Sequence, residues 1–190
     1  MADKSGKFWV TWANANALSS SKIEDLAEPF RSQATAFIAA MREAGATVGV
    51  NVTRRSEKRA YLFHWSWKIA LNQCKPSDAT PMAGVDIQWD HGNDASSRQG
   101  AQEMVTGFGL AVPPRSTKAP GLRSNHIDGE AIDMDITWLG TIQVKNKPGV
   151  RIPITFMPDV DANIGLHQLG ASYGVLKLVG DAPHWSLNGR

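Results

Sequence analysis

The residues best suited to chemistry lie between Ser124 and Asp133, in the segment Ser-Asn-His-Ile-Asp-Gly-Glu-Ala-Ile-Asp. His126 and Asp133 are two potential metal ligands, and a glycine and an alanine between them let the backbone turn. A third potential ligand, His184, stands 51 residues after Asp133. Two imidazoles and one carboxylate are the set that a catalytic zinc ion takes, with the fourth tetrahedral position left for water.

A fourth residue of interest is Asp181, three residues before His184 in Gly-Asp-Ala-Pro-His-Trp. A carboxylate at this position would supply a base close to the metal. Three ligands and a base together predict a hydrolytic site.

The motif Ser-x-His-x6-Asp, followed far downstream by Asp-x-x-His-Trp, resembles the LAS group of zinc peptidases, also called peptidase family M15. This group includes D-alanyl-D-alanine carboxypeptidases, the D,D-dipeptidases of vancomycin resistance, and phage endolysins that cut the L-alanyl-D-glutamate bond of peptidoglycan. The resemblance runs from about Val50 to the end of the chain. It favours Asp133 as the carboxylate ligand, because the rival carboxylates Asp128 and Asp135 stand at offsets that do not match the motif.

The resemblance also implies roles for residues around the metal. Asp181 matches the general acid/base, which takes a proton from the attacking water and hands it to the leaving amine. Arg55 matches an arginine that holds a substrate carboxylate or a polarised carbonyl, a task that suits the planar guanidinium. Ser124 is either a loop hydroxyl bonded to nearby backbone or a substrate contact, and Trp185 is expected to pack behind the ligands.

The expected function is therefore that of a zinc-dependent peptidoglycan peptidase. It would hydrolyse a stem-peptide bond, as an L-alanyl-D-glutamate endopeptidase or a D-alanyl-D-alanine carboxypeptidase. Aspartate in the base position is used by the phage endolysins of the group, which favours the endopeptidase over the dipeptidase. Two alternatives stay open, a cytosolic D,D-dipeptidase and a non-catalytic zinc-stabilised cell-wall-binding module. Asp181 and Arg55 argue against the binding module, which would have no need of a base.

Composition sets the context for this activity. The chain has 190 residues, 20 basic and 18 acidic residues spread along its length, and a formal charge of +2, which does not suggest a nucleic-acid partner. Cys74 is the single cysteine, so no intramolecular disulfide can form, and a buried inert thiol is expected. We expect neither a secretory signal nor membrane insertion. The protein would then be made in the cytoplasm and act in the periplasm or cell wall. It would reach its substrate after release by a holin or injection by a secretion apparatus, and an injected effector would have an immunity partner.

Periodicity predicts an α+β fold, with helices packed on a small, largely antiparallel sheet that carries the metal ligands. We expect a single domain over residues 1–190, with a helical part at 1–110 and a metal-site part at 111–190. Helices are predicted over about 30–44, 56–71, 96–108 and 162–173. Strands are predicted over 46–53 and, after Asp133, through Trp138, with Thr141 to Val144 as its hairpin partner and a further strand at 152–156.

Overall fold

The computed structural model describes residues 3–190. Met1 and Ala2, which belong to the N-terminal segment where no secretory signal is expected, lie outside the described residues. The chain divides into two compact units, each built from two separate segments. The first unit contains the described residues up to Leu18 and Ser56–Arg123, and the second contains Ser19–Arg55 and Ser124–Arg190. Whether the two units constitute one domain stays a prediction.

The first unit is mainly helical. Its elements are β1 (Asp3–Lys4), α1 (Lys7–Asn16), α3 (Glu57–Ala70), β3 (Ile87–Gln88) and α4 (Asp94–Phe108), with a 3-10 turn at Pro76–Asp78. The two short strands pair in parallel. Helix α1 was not predicted from the sequence. It buries Trp9 and Ala13 against a core that also contains Leu62, Ile69 and Met104.

Two details of this unit follow from local chemistry. Helix α4 begins after Asn93, whose side chain accepts a hydrogen bond of 2.8 Å from the backbone N–H of Ser96, a standard N-cap. Cys74 is half-buried rather than fully buried, and burial raises the pKa of its thiol. The raised pKa fits the inert role expected for it.

The second unit is built on a four-stranded antiparallel sheet in the order β2-β4-β8-β7. These strands span Thr47–Val52, Ala131–Thr137, His184–Ser186 and Leu176–Lys177, in the same order. The central strand β4 alternates, and Ile132, Met134 and Ile136 face the core. Its opposite face therefore carries Asp133.

Two helices cover the core face of this sheet, α2 (Phe30–Glu43) and α6 (Ile164–Ser172). Helix α2 buries Phe30, Ala34, Phe37, Ile38 and Met41, which follow the three-and-four spacing of an amphipathic helix. A short helix, α5 (Asn125–Asp128), and 3-10 turns at Ile23–Asp25 and Val160–Ala162 complete the unit.

One predicted strand pairing is wrong. Strand β5 (Thr141–Lys145) pairs with β6 (Arg151–Thr155), as a separate antiparallel hairpin, and not with the strand that contains Asp133. Strand β4 pairs instead with β2 along residues 133–137 and with β8 along residues 131–133, both of which come from distant parts of the chain. Residues 152–156 do contribute a strand, as expected.

The α+β class and the small antiparallel sheet are confirmed. Among residues 3–190, no helix combines the length and apolar character needed to cross a lipid bilayer.

Candidate metal site

Three elements of the second unit deliver the predicted ligands to one point. Asp133 on β4 and His184 on β8 are direct partners in the antiparallel register, so their side chains leave the sheet side by side. His126 comes from α5, which begins after Ser124 and ends at Gly129. The backbone N–H of Arg55 donates to the carbonyl of His126 at 3.0 Å and fastens this short helix to the end of β2.

The turn between His126 and Asp133 depends on Gly129. Its φ of +74° lies in the left-handed region that glycine adopts without strain. A side chain here would also meet Ala27, because a Cβ atom would lie 2.9 Å from the Ala27 backbone nitrogen. That nitrogen donates a hydrogen bond of 2.9 Å to the carbonyl of Gly129. The glycine in the motif thus reverses the chain and permits a close backbone contact.

The three ligand atoms form a nearly equilateral triangle. Nε2 of His126 lies 3.1 Å from Oδ1 of Asp133 and 3.1 Å from Nδ1 of His184, and the last two atoms are 3.2 Å apart. A tetrahedral ion with bonds of about 2.0–2.2 Å separates its ligands by about 3.3–3.6 Å. The observed separations are slightly shorter, so a small outward adjustment of the side chains admits an ion. The cluster could hold a metal ion.

Each histidine is held by a backbone oxygen on the side away from the cluster. Nδ1 of His126 lies 3.2 Å from the carbonyl oxygen of Thr53, and Nε2 of His184 lies 3.0 Å from the backbone oxygen of Arg190. Such an oxygen can only accept, so in a neutral ring the proton sits on that nitrogen. The nitrogen that faces the cluster is then a bare lone pair, which is the arrangement that orients metal-binding histidines.

The consequence is a convergence of electron pairs. With both rings in these tautomers, two imidazole nitrogens and a carboxylate oxygen point at one another across 3.1–3.2 Å. Three acceptors this close repel one another unless a cation or a proton lies between them. His126 is 3% and His184 7% exposed, so bulk water does little to relieve that repulsion. The site is therefore arranged for a cation.

The carboxylate of Asp133 is suited to this role. Burial raises the pKa of its carboxyl group. In the metal-free cluster a proton can lie between the groups, and hydrogen bonds and positive charge from the His126 and His184 rings then outweigh burial and hold that pKa well below its usual range. Asp133 is consequently ionised across the physiological range.

Arg55 lies beside the cluster, at the junction between β2 and α3. Burial lowers the pKa of its guanidinium, while the negative charges of Asp133 and Asp181 act in the opposite direction. An arginine remains protonated in proteins. Arg55 therefore places a fixed positive charge within the electrostatic reach of both the candidate ligand Asp133 and the candidate base Asp181.

Asp181 sits in the turn between β7 and β8, and its side chain is exposed. Its backbone oxygen accepts the N–H of His184 at 2.9 Å, which ties its position to that of the ligand. The structure thus places Asp181 and Arg55 in the same unit as the three ligands, with charges that interact.

Two further predicted residues lie close to the ligands. Ser124 directly precedes α5, and its Oγ is buried with no hydrogen-bond partner among the described residues. The alternative in which this hydroxyl bonds to nearby backbone is therefore not observed. Contact of Ser124 with substrate stays a prediction. Trp185 is 0% exposed and packs into the core, 5.5 Å from Phe37 between ring centroids, as expected for a residue behind the ligands.

The contributions of Thr53, Arg190 and Asn125 were missed by the sequence analysis. Thr53 and Arg190 act through backbone oxygens, which every residue type has, so no sequence pattern marks them. The Asn125 side chain donates to the Arg190 oxygen at 2.7 Å and to Asn188 Oδ1 at 2.7 Å. Its position directly before His126 is the one signal that could have drawn attention to it.

The identity of the metal is not fixed by these ligands. Two histidines and one carboxylate form catalytic zinc sites, and the same set forms the facial triad of non-haem iron(II) enzymes. No protein-family model, curated protein or solved structure gives a significant match to this chain.

Proposed function

We propose that this protein is a zinc-dependent peptidase that hydrolyses a bond in the stem peptides of peptidoglycan. The observation that carries the proposal is the convergence of three lone pairs from His126, Asp133 and His184, with both histidines oriented by backbone oxygens. Arg55 and Asp181 beside this cluster support a catalytic role over a purely structural one. The substrate class rests on the resemblance to the M15 peptidases.

The residues divide the work of peptide hydrolysis. A zinc ion in the cluster would supply Lewis acidity, which polarises the scissile carbonyl and activates the attacking water. The exposed carboxylate of Asp181 accepts a proton from that water and transfers it to the departing amine. Arg55 binds a carboxylate of the stem peptide or the negative charge that develops on the carbonyl oxygen. The delivery route remains part of the proposal, as a lysin released by a holin or an effector passed through a secretion apparatus.

The test is digestion of purified Gram-negative-type peptidoglycan by zinc-loaded protein, with released fragments identified by mass spectrometry. Wild type should release stem-peptide fragments, and metal analysis should find one zinc ion per chain. New amino-terminal glutamate would identify the endopeptidase, and free D-alanine the carboxypeptidase. Asp181→Ala should keep its zinc and lose roughly 10²–10⁴-fold in rate, the usual contribution of a general base.

Asp135→Ala is the matched control. Asp135 is an exposed carboxylate on β4 that accepts a 2.8 Å hydrogen bond from Asn51, and it lies outside the cluster. Its loss should leave the rate unchanged. If wild type binds zinc but releases nothing, the peptidase proposal fails for this substrate. Hydrolysis of free D-alanyl-D-alanine would then favour the dipeptidase, and sedimentation with intact walls would favour the binding module. An iron content in place of zinc would contradict the metal assignment.

A further inference from the structure

A buried ammonium group lies beneath the turn that carries Asp181. The Lys177 side chain is 1% exposed, although lysine is almost never buried without partners. Its Nζ donates to the backbone oxygen of Asp181 at 2.7 Å and to that of Leu178, and it forms an ion pair of 2.8 Å with Oδ1 of Asp161. Two of the three ammonium donors bond to backbone oxygens, and the positive charge is balanced by the carboxylate of Asp161.

Asp161 extends the contact to a third point of the same turn. Its second oxygen, Oδ2, accepts the backbone N–H of Gly180 at 2.9 Å. The contact with the Lys177 ammonium is also the main reason that the pKa of Asp161 is lowered. Lys177 and Asp161 therefore form hydrogen bonds to the backbone of the turn at Leu178, Gly180 and Asp181. Gly180 has φ of +93° and no side chain that could anchor the turn.

The turn from Leu178 to Asp181 is hydrogen-bonded directly to the candidate ligand His184. The same Asp181 oxygen that receives the Lys177 ammonium also accepts the N–H of His184 at 2.9 Å, and the N–H of Leu178 donates to the His184 carbonyl at 3.2 Å. One backbone oxygen thus links the buried lysine, the candidate base and a candidate ligand. The Lys177 ammonium also lies 5.9 Å from the ring centroid of Trp185, its cross-strand partner.

We propose that Lys177, paired with Asp161, is a positioning residue that holds the turn in the conformation in which Asp181 and His184 face the metal. The part that concerns Asp181 rests on the proposed peptidase function, whereas the part that concerns His184 rests on metal binding alone. Stability alone gives little reason for the pair, because an apolar residue of similar size is often as good or better than a buried ion pair. What an apolar residue cannot do is gather three oxygens around one atom.

The test compares Lys177→Met with Lys145→Met. Methionine fills the volume without the charge, and both backbone oxygens that lose the ammonium keep a second contact, Asp181 with the His184 N–H and Leu178 with the Asp181 N–H at 3.4 Å. We therefore expect the variant to fold. Lys145 pairs with Glu43 at 2.7 Å on the surface of the same unit, with 44% of its side chain exposed, and controls for the loss of an ordinary lysine ion pair.

Zinc affinity, measured by competition with a chromophoric chelator, should fall about 10- to 100-fold in Lys177→Met, the usual effect of losing support behind a metal ligand. In hydrolysis of a stem peptide, kcat should fall and KM should change little, because displacing a base affects the reaction step more than substrate binding. Lys145→Met should match wild type in both. The absorption spectrum of the cobalt(II)-substituted variant should differ from that of wild type, which a merely structural role would not cause.

A folded Lys177→Met with the zinc affinity, kcat and cobalt spectrum of wild type would overturn the proposal. If that variant does not fold, Asp161→Asn decides by the same measurements, since asparagine retains an acceptor for Gly180 but loses the charge that pairs with Lys177. Wild-type values for Asp161→Asn would then overturn it as well. If wild type hydrolyses no stem peptide, the proposed function fails, and the zinc affinity and cobalt spectrum still test Lys177.

Discussion

Replacing Gly170 by alanine should destabilise the second unit through the tryptophan that packs behind the metal ligands. Gly170 is buried in α6, three residues after His167. A Cβ atom there would lie 2.7 Å from Cζ3 of Trp185 and 2.7 Å from the backbone oxygen of Val175. Neither neighbour can easily move, because Trp185 is fully buried and the N–H of Val175 is bonded to the Gly170 carbonyl at 3.0 Å.

Two opposing effects decide whether Gly170→Ala raises or lowers the free energy of unfolding. Alanine is favoured over glycine in a helix by about 1 kcal/mol. Overpacking a filled core costs about 1–3 kcal/mol, and a contact with fixed backbone lies at the upper end of that range. We therefore expect Gly170→Ala to lower the free energy of unfolding by about 1–2 kcal/mol.

Gly165→Ala is the matched control in the same helix. A Cβ at Gly165 would lie 3.4 Å from Cδ1 of Ile154, which is an ordinary contact. This change should leave stability unaltered or raise it by about 0.4–1 kcal/mol.

Thermal unfolding followed by circular dichroism should separate the two variants, since 1 kcal/mol corresponds to about 2–4 °C in a chain of this size. Zinc affinity should fall in Gly170→Ala and not in Gly165→Ala, because Trp185 is the neighbour of His184 on β8. Equal unfolding temperatures for the two alanine variants would refute the packing argument.

Two further predictions concern the surroundings of the metal ligands. Asn125→Ala should lower zinc affinity about 10-fold, because the Asn125 side chain donates to the Arg190 oxygen that orients His184. Competition with a chelator measures this affinity, and Asn16→Ala, at an exposed asparagine, is the control. In the metal-free protein the pKa of Asp133 is lower in the folded state than in the unfolded state, so its ionisation stabilises the fold. This stabilisation is fully present above the unfolded-state pKa of about 3.9, and it is lost as the pH falls toward the folded-state pKa. Asp133→Asn should therefore flatten the acid limb of a stability-against-pH curve measured by urea unfolding, and an unchanged limb would contradict this.

The predicted helices follow from local patterns, and the structure bears most of them out. Helix α2 was readable because its buried residues recur at three-and-four spacing after Pro29. Strand β4 was readable from its alternation. Two of the three candidate ligands, His126 and Asp133, were readable from a motif within a ten-residue segment. Helix α1 was missed because its sequence, Lys-Phe-Trp-Val-Thr-Trp-Ala-Asn-Ala-Asn, has aromatic and β-branched residues that do not favour a helix, and packing in the first unit overrides that preference.

The pairing of strands could not be read from local patterns. A hairpin between β4 and Thr141 to Val144 was the nearest choice along the chain, but β4 instead pairs with strands from residues 47–52 and 184–186. Pairing with these distant segments, with one face of β4 packed into the core, decides the arrangement. The pairing with residues 47–52 also brings Thr53 and Arg55 beside His126.

The sequence by itself determined which side chains could bind a metal, since His126, Asp133 and His184 are identified by residue type and by the motif that they match. It also marked Asp181 as the candidate base. Only the tertiary structure decided how those side chains are held. The backbone oxygens of Thr53 and Arg190 orient the two histidine rings, and Lys177 donates a hydrogen bond to the backbone of the turn that carries Asp181. Backbone oxygens are common to every residue, and a lysine is usually a surface residue, so neither leaves a trace in the sequence until folding brings it to its partners.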